Sequence, residues 1–340
     1  MRVFNIEKNF LESMPLKSVA VVGATGLVGR TMLKILEERN FPISYLGLYA
    51  SERSAGTIIE YKKKEYEVQL LTEEVFNGID IALFSAGGSA SLKYAPIAAA
   101  KDCIVIDNSS AWRMDADTPL VVPEVNPEDI RTHKGIIANP NCSTIQLVVA
   151  LKPIHEKYGL KRVVVSTYQS ISGAGQKGIA QMNAEIEGSE INNRVSPYPV
   201  AFNAVFHEIS DVTGFSVEEI KMKNEIRKIM HLPDLKVAVT CVRLPFYCGH
   251  GESVNIETEL PIDIEELKYT IGKAEGVVLM DDPLNQVYPT IKVCENTDSV
   301  YVGRIRKDDS VENGAHLWVV ADNIRKGAAT NAVQIAEYFM

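Results

Sequence analysis

Residues 18–40 read "SVAVVGATGLVGRTMLKILEERN". The β-branched run Val19, Val21 and Val22 meets glycines, then a stretch with apolar residues at Val28, Leu33 and Leu36. That order reads as strand, turn and helix. Gly23, Gly26 and Gly29 stand at G-x-x-G-x-x-G spacing across the turn. Glycines there let the backbone turn sharply and approach a pyrophosphate, and a helix start offers unpaired N–H groups and the positive end of its dipole. The candidate phosphate cradle is therefore Gly23, Thr25, Gly26, Leu27, Val28 and Gly29. A glycine pattern alone also fits a purely structural turn; the strand before it and the helix after it favour a nucleotide.

Outward from this unit, short apolar strands recur at "YLGLYAS" (45–51), "IDIALFSAG" (79–87), "IVIDNSSA" (104–111) and "GIIANPN" (135–141), alternating with helical stretches such as "SLKYAPIAAAK" (91–101). The alternation predicts an α/β fold whose N-terminal part is a Rossmann-like, doubly wound parallel sheet. After about residue 160 the strands lengthen: "KRVVVSTYQSI" (161–171), "LKVAVTCVRLPF" (235–246), "ESVNIETEL" (252–260) and "AHLWVVADNI" (315–324). Their partial alternation predicts a mixed, largely antiparallel sheet in an α+β domain, with helices at 178–188 and 216–230. The expected division is 1–141 for the nucleotide domain, completed by a returning helix in 322–340, and 142–321 for a catalytic and dimerisation domain.

The chain has 340 residues, 46% hydrophobic and 23% charged, with a formal net charge of -9. No dense basic block is present, which argues against nucleic acid or an anionic membrane surface as partner. A pocket for a small anion needs only two or three placed cations and remains open. No apolar run approaches the roughly 20 residues of a membrane-spanning helix, and residues 1–18, "MRVFNIEKNFLESMPLKS", lack the apolar centre of a secretory signal. Cys103, Cys142, Cys241, Cys248 and Cys294 form no C-x-x-C pair, so a cytoplasmic protein with reduced thiols is expected.

After the second strand, "YASERSAG" offers Ser51, Arg53 and Ser54. A guanidinium flanked by hydroxyls suits a ribose 2'-phosphate, whereas Glu52 would suit the free 2'-hydroxyl. NADP is favoured.

"NPNCST" (139–144) sets Cys142 at the apparent start of a helix (145–158), where free N–H groups and the dipole lower a thiol's pKa. A small buried residue is the competing reading, and it is the better one for Cys103 and Cys241, which lie in apolar runs. Among the six histidines, His155 falls on an expected amphipathic helix, while His250 sits between glycines in "CGHGES", where an imidazole projects freely. Cys248 and His250 lack a second ligand pair at metal spacing, so no metal is expected. Arg113, after "DNSSAW", and Arg243, in "TCVRLPF", are planar cations suited to carboxylate or phosphate. Taken singly, each also fits a surface arginine.

Together these segments resemble the aspartate-β-semialdehyde dehydrogenase family from about Ser18 to Met340: "GATGLVG", "FSAGGSAS", "DNSSAWRMD", "VPEVN", "NPNCST", "STYQSISGAGQKG", "EEIKM", "RLPFYCGHGES" and "ADNIRKGAATNAVQIAE" follow its order. The resemblance implies reduction of L-aspartyl-4-phosphate by NADPH to L-aspartate-4-semialdehyde and phosphate, in the biosynthesis of lysine, threonine and methionine. It implies Cys142 as thioester-forming nucleophile, His250 as acid/base and Gln169 as an amide positioning the acyl group. It further implies Arg113 and Lys221 for phosphate, Arg243 for the α-carboxylate and Glu218 for the amino group. Ser172, Gly173 and Asn323 match cofactor contacts. A homodimer, or a tetramer, is the implied assembly. The related N-acetyl-γ-glutamyl-phosphate reductases carry "NPGCY" at the cysteine, whereas Asn141 and Ser143 flank it here. A catalytically silent relative would be expected to lack the cysteine or the histidine. Residues 1–17 precede the matched segments and have no assigned role.

Overall fold

The computed structural model describes residues 15–191 and 193–340, so most of the unassigned N-terminal segment lies outside the described residues. Two compact units emerge. The first comprises the chain up to Val121, Glu128–Asn139 and Ala329–Met340; the second comprises Val122–Pro127 and Pro140–Ala328.

In the first unit, β1 (Lys17–Val22) leads into α1 (Leu27–Glu38), followed by β2 (Ile43–Ala50), β3 (Ile58–Tyr61), β4 (Lys64–Glu67), β5 (Gln69–Leu70) and β6 (Ile81–Phe84). Then come α2 (Gly88–Ala99), β7 (Ile104–Asp107) and β8 (Ile136–Ala138). Six strands form one sheet in the order β5-β2-β1-β6-β7-β8, all parallel, with β3-β4 a separate hairpin. Covered on both faces, the strands are continuous apolar runs: Val19, Ala20, Val21 and Val22 have no exposed surface. The strand order reverses direction between β1 and β6, the place where open α/β sheets bind ligands.

The second unit opens with α3 (Cys142–Tyr158) and β9 (Leu160–Gln169), then α4 (Gly175–Glu187), β10 (Val205–Phe206), α5 (Val217–Ile229) and β11 (Lys236–Arg243). It continues with β12 (His250–Thr258), α6 (Ile264–Gly272), β13 (Val277–Leu279), β14 (Val300–Asp308) and β15 (Gly314–Ala321). Its seven strands run β10-β11-β9-β12-β15-β14-β13, with four antiparallel and two parallel pairings. The fold is thus a parallel Rossmann-like sheet plus a mixed, largely antiparallel sheet.

Three details depart from expectation. α3 is not amphipathic: Ser143–Leu151 is buried without a break, because strands β9, β12, β14 and β15 and helices α5 and α6 all pack on it. His155 sits half-buried near its end, its Nδ1 accepting the Leu160 N–H. The division at 141/142 with a return at 322 is also too simple. Val122–Pro127 belongs to the second unit, where both carboxylate oxygens of Glu124 accept from the fully buried Lys326, at 2.8 and 2.7 Å. That pair holds the chain through Ala328 in the second unit. Finally, β14 and α6 have no counterpart in the expected elements.

The last helix, α7 (Asn331–Glu337), is part of the first unit. Ala329, Ala332, Val333, Ile335 and Ala336 join Val19, Val21, Met32 and Leu36 in one core.

Candidate active site

The glycine turn of the first unit is built by backbone crowding. Gly23 has φ +87°, and a Cβ there would meet the Ser85 carbonyl oxygen at 2.4 Å. A Cβ on Gly29 would lie 2.3 Å from the Gly23 oxygen, so the first turn of α1 rests directly on the loop. No side chain caps α1 at Gly26, which leaves its first N–H groups for a ligand. A cavity of about 440 Å³ opens here, lined by Gly23, Thr25, Gly26, Ser51, Glu52, Arg53 and Ser54, with Leu70, Leu71, Ser85, Ala86 and Tyr94 also on its wall. These residues fit a dinucleotide: glycine backbone and a helix start for the pyrophosphate, exposed Arg53 and Ser51 beyond it, and an apolar wall for a base. The last five wall residues were not singled out in the sequence, although Ser85 and Ala86 lie in the segment "FSAGGSAS". Leu27 and Val28 open α1, adjoining the cradle.

Arg113 also belongs to the first unit. It is buried and donates through Nε to the Asn139 carbonyl and through Nη2 to the Asn108 carbonyl, each at 3.0 Å. The guanidinium is therefore fixed beside the ends of β7 and β8.

In the second unit Cys142 is the first residue of α3. Asn141 caps the helix by accepting the Ser143 N–H, and its own N–H donates to the buried Glu225 at 2.7 Å. Gly327 passes so close that a Cβ on it would be 2.9 Å from the Cys142 Cβ. Cys142 Sγ lies 3.1 Å from His250 Nε2.

Strand pairing sets the rest. In the antiparallel and parallel registers His250 and Arg243 both stand opposite Gln169, giving one row, Arg243–Gln169–His250, across β11, β9 and β12. His250 is fully buried; burial foremost, with the nearby Arg243 charge, pushes its pKa down to about 3 against an opposing bond to Gly249. The ring is thus neutral near pH 7. Its Nδ1 accepts the Ser170 N–H at 3.1 Å when the proton is on Nε2; with the proton on Nδ1 instead, Nε2 faces the sulfur as an acceptor. The Gly249 carbonyl, also 3.1 Å from Nδ1, offers an acceptor should the ring become charged. Both protonation states are served, as an acid/base group requires.

Gln169 donates through Nε2 to Ser143 Oγ at 2.7 Å and to Glu218 at 3.2 Å, while its buried Oε1 has no partner among the described residues. Glu218 accepts from Asn141 Nδ2 at 2.6 Å and faces Lys221 Nζ at 3.5 Å. Burial raises its pKa, but His207, Lys221 and the two amide bonds outweigh this and hold it down at about 2. Arg243 donates through Nη1 to the Ser170 carbonyl at 2.8 Å. Gly173 borders this group, since a Cβ there would be 3.1 Å from Arg243 Nη1 and 3.6 Å from the His250 ring. Ser172 and Asn323 are buried together, Asn323 Oδ1 accepting from Ser170 Oγ, Ser172 Oγ and the Gly249 N–H. Asn323 thereby braces the loop before His250.

Cys142, His250, Gln169, Glu218, Lys221 and Arg243 thus share the second unit, with Ser172, Gly173 and Asn323 around them. Asn141, Ser170, Glu225, His207 and Gly327 take part without having been singled out; only Asn141 had a signal, as the residue flanking the cysteine. Of the other thiols, Cys103, Cys241 and Cys294 are buried and Cys248 donates to Asp322 at 3.3 Å.

Comparison with known proteins agrees along the chain. Residues 18–133 match the family model "Semialdehyde dehydrogenase, NAD binding domain", and residues 151–326 match "Semialdehyde dehydrogenase, dimerisation domain". The chain is 58% identical to the aspartate-semialdehyde dehydrogenase of Aquifex aeolicus (strain VF5), over 94% of this chain and 96% of that one. Identity to the Bacillus subtilis (strain 168) enzyme of the same name is 53%, with the same coverage. A crystal structure of aspartate semialdehyde dehydrogenase II from Vibrio cholerae complexed with ASA superposes with a TM-score of 0.90, at 46% identity, covering 95% of this chain and 98% of that one.

Proposed function

The chain belongs to the aspartate-semialdehyde dehydrogenase family, and from that premise we propose that it reduces L-aspartyl-4-phosphate to L-aspartate-4-semialdehyde and phosphate through a thioester on Cys142. The observation that carries this reading is the 3.1 Å approach of Cys142 Sγ to His250 Nε2 at the start of a buried helix. Cys142 Sγ attacks the acyl carbon, the bond from carbon to the phosphate oxygen breaks, and phosphate leaves. Covalent capture divides one hard displacement into two easier steps. NADPH, when bound, supplies the hydride that reduces the thioester carbonyl. Collapse of the resulting thiohemiacetal breaks the C–S bond and frees the aldehyde. His250 Nε2 faces the sulfur throughout: unprotonated, with Nδ1–H on the Gly249 carbonyl, it takes the thiol proton as Cys142 Sγ attacks and returns a proton to the sulfur when the C–S bond breaks.

Arg243 is the group for the substrate α-carboxylate, and Glu218, held ionised, is the group for its ammonium. Lys221 and Arg113 are the cations offered to the leaving phosphate. Gln169 orients the acyl group. Arg53 with Ser51 and Ser54 favours NADPH over NADH. The protein acts as a homodimer, in keeping with the exposed apolar side chains of Tyr198, Phe202, Phe206, Ile209, Val212 and Phe215 on the second unit. It works in a reducing cytoplasm, which suits five free thiols, and supplies the pathway to lysine, threonine and methionine.

The deciding assay is phosphate- or arsenate-dependent NADP reduction with aspartate semialdehyde and with N-acetylglutamate semialdehyde. Turnover of the first substrate is expected; turnover of the second alone would overturn the reading.

A further inference from the structure

The Arg243 guanidinium has a second partner besides the Ser170 carbonyl. Nη2 lies 2.7 Å from Nε2 of His207, a residue one position beyond the two-residue strand β10. Strand β10 pairs with β11 as Val205 to Arg243 and Phe206 to Val242, so His207 falls across from Cys241 and reaches back toward Arg243. Arg243 has donors only, so His207 Nε2 must accept, which requires a neutral imidazole protonated on Nδ1. Burial, together with the Arg243 charge, does hold the ring below its ordinary range, at about 4, with Glu218 opposing and Lys221 assisting.

Both terminal nitrogens of Arg243 are then fixed, one on Ser170 and one on His207. Each keeps a second N–H, and a carboxylate accepts well from such a pair. Arg243 and His207 also share the wall of a cavity of about 900 Å³, with Ala174, Tyr198, Val205 and Glu208.

We propose that His207 is a positioning residue for the substrate: by accepting from Arg243 Nη2 it fixes the guanidinium edge that the α-carboxylate meets. This rests on the assignment of Arg243 to the carboxylate. A positioning group of this kind acts on binding of the semialdehyde and hardly at all on the chemical step.

The test uses the full-length enzyme and variants His207→Ala, His207→Gln, Arg243→Lys and the double variant His207→Ala/Arg243→Lys, in the phosphate-dependent reduction of NADP. In His207→Ala the KM for aspartate semialdehyde should rise roughly tenfold, with kcat and the KM for phosphate within about twofold. His207→Gln, which restores an acceptor, should recover most of the loss. The double variant should be no worse than Arg243→Lys, since both changes break one interaction. If Arg243→Lys raises the KM but His207→Ala does not, or if the two effects simply add, the role of His207 is refuted while Arg243 stands. An unchanged KM in Arg243→Lys would refute the carboxylate assignment and this inference with it. Circular dichroism of His207→Gln and His207→Ala separates loss of fold from loss of positioning; a KM rise matched by lost secondary structure would also refute it.

Discussion

The nucleotide cradle of the first unit is made from consecutive residues, Gly23–Gly29, and works through its backbone. The proposed catalytic group of the second unit draws Cys142, Gln169, Glu218, Arg243 and His250 from α3, β9, α5, β11 and β12, and is built of side chains that hold one another. The first is a shape, with few polar commitments and an open wall. The second is a network: Gln169 Nε2 and the Glu218 carboxylate are engaged with neighbours before any substrate arrives, and the buried Gln169 Oε1 is left over. A site made of shape fails by steric intrusion, whereas a network fails by losing a proton or a partner.

The comparison can be broken at several points. The sharpest is Cys142→Ala, expected to lower turnover by about 10⁴-fold or more while NADPH still binds, as followed by fluorescence titration. Near-normal turnover would remove the nucleophile from the network. Replacing His250 with Ala should cost about 10²–10⁴-fold in kcat, measured across a pH series; a loss confined to KM would argue for a binding role instead.

On the other side, Gly23→Ala introduces a Cβ against the Ser85 carbonyl in a left-handed backbone. It should destabilise the protein by about 1–3 kcal/mol and weaken cofactor binding, seen by denaturant melts and by titration. A neutral outcome would mean the loop is not held by shape. Arg53→Ala should weaken NADPH by roughly tenfold and leave NADH unchanged; equal effects on both would undo the 2'-phosphate assignment.

A further effect is on stability against pH. His250 and His207 are held at about 3 and about 4, below the 6.5 of an ordinary histidine. The unfolded chain therefore binds protons that the folded chain does not, and stability rises with pH through this window. It should be complete above about pH 6.5 and fall progressively as pH drops toward 4. Chemical denaturation at pH 7 and pH 5 checks this, and His207→Gln should flatten the slope.

How much was legible follows the same contrast. The glycine turn, the parallel strands and the start of α3 at Cys142 are local features, written in adjacent residues. Asn141 even caps the helix as its sequence position suggests. The row Arg243–Gln169–His250 depends on the register of three strands, which no single segment carries. Strand β14 escaped notice because charged Arg304 and Arg306 interrupt its apolar run, and Arg304 takes φ 54° where the register with β15 shifts. The burial of α3 on every side could not be read from its periodicity, since a helix packed all round has none. His207 lay in a stretch without a motif and gained meaning only through β10 pairing with β11. The Arg113 contacts and the bracing role of Asn323 were likewise invisible without the fold.

The first unit's core has a consequence for how the chain must be made. Val19, Val21, Met32 and Leu36 emerge early in synthesis, yet they share one core with Ala329, Ala332, Val333, Ile335 and Ala336. Between them the whole second unit has to be translated. Until then the nascent sheet keeps an apolar face bare, the condition in which a growing chain depends on chaperones. Translation order thus gives the second unit, complete at Ala328, the chance to fold first, although the nucleotide fold is the one begun first.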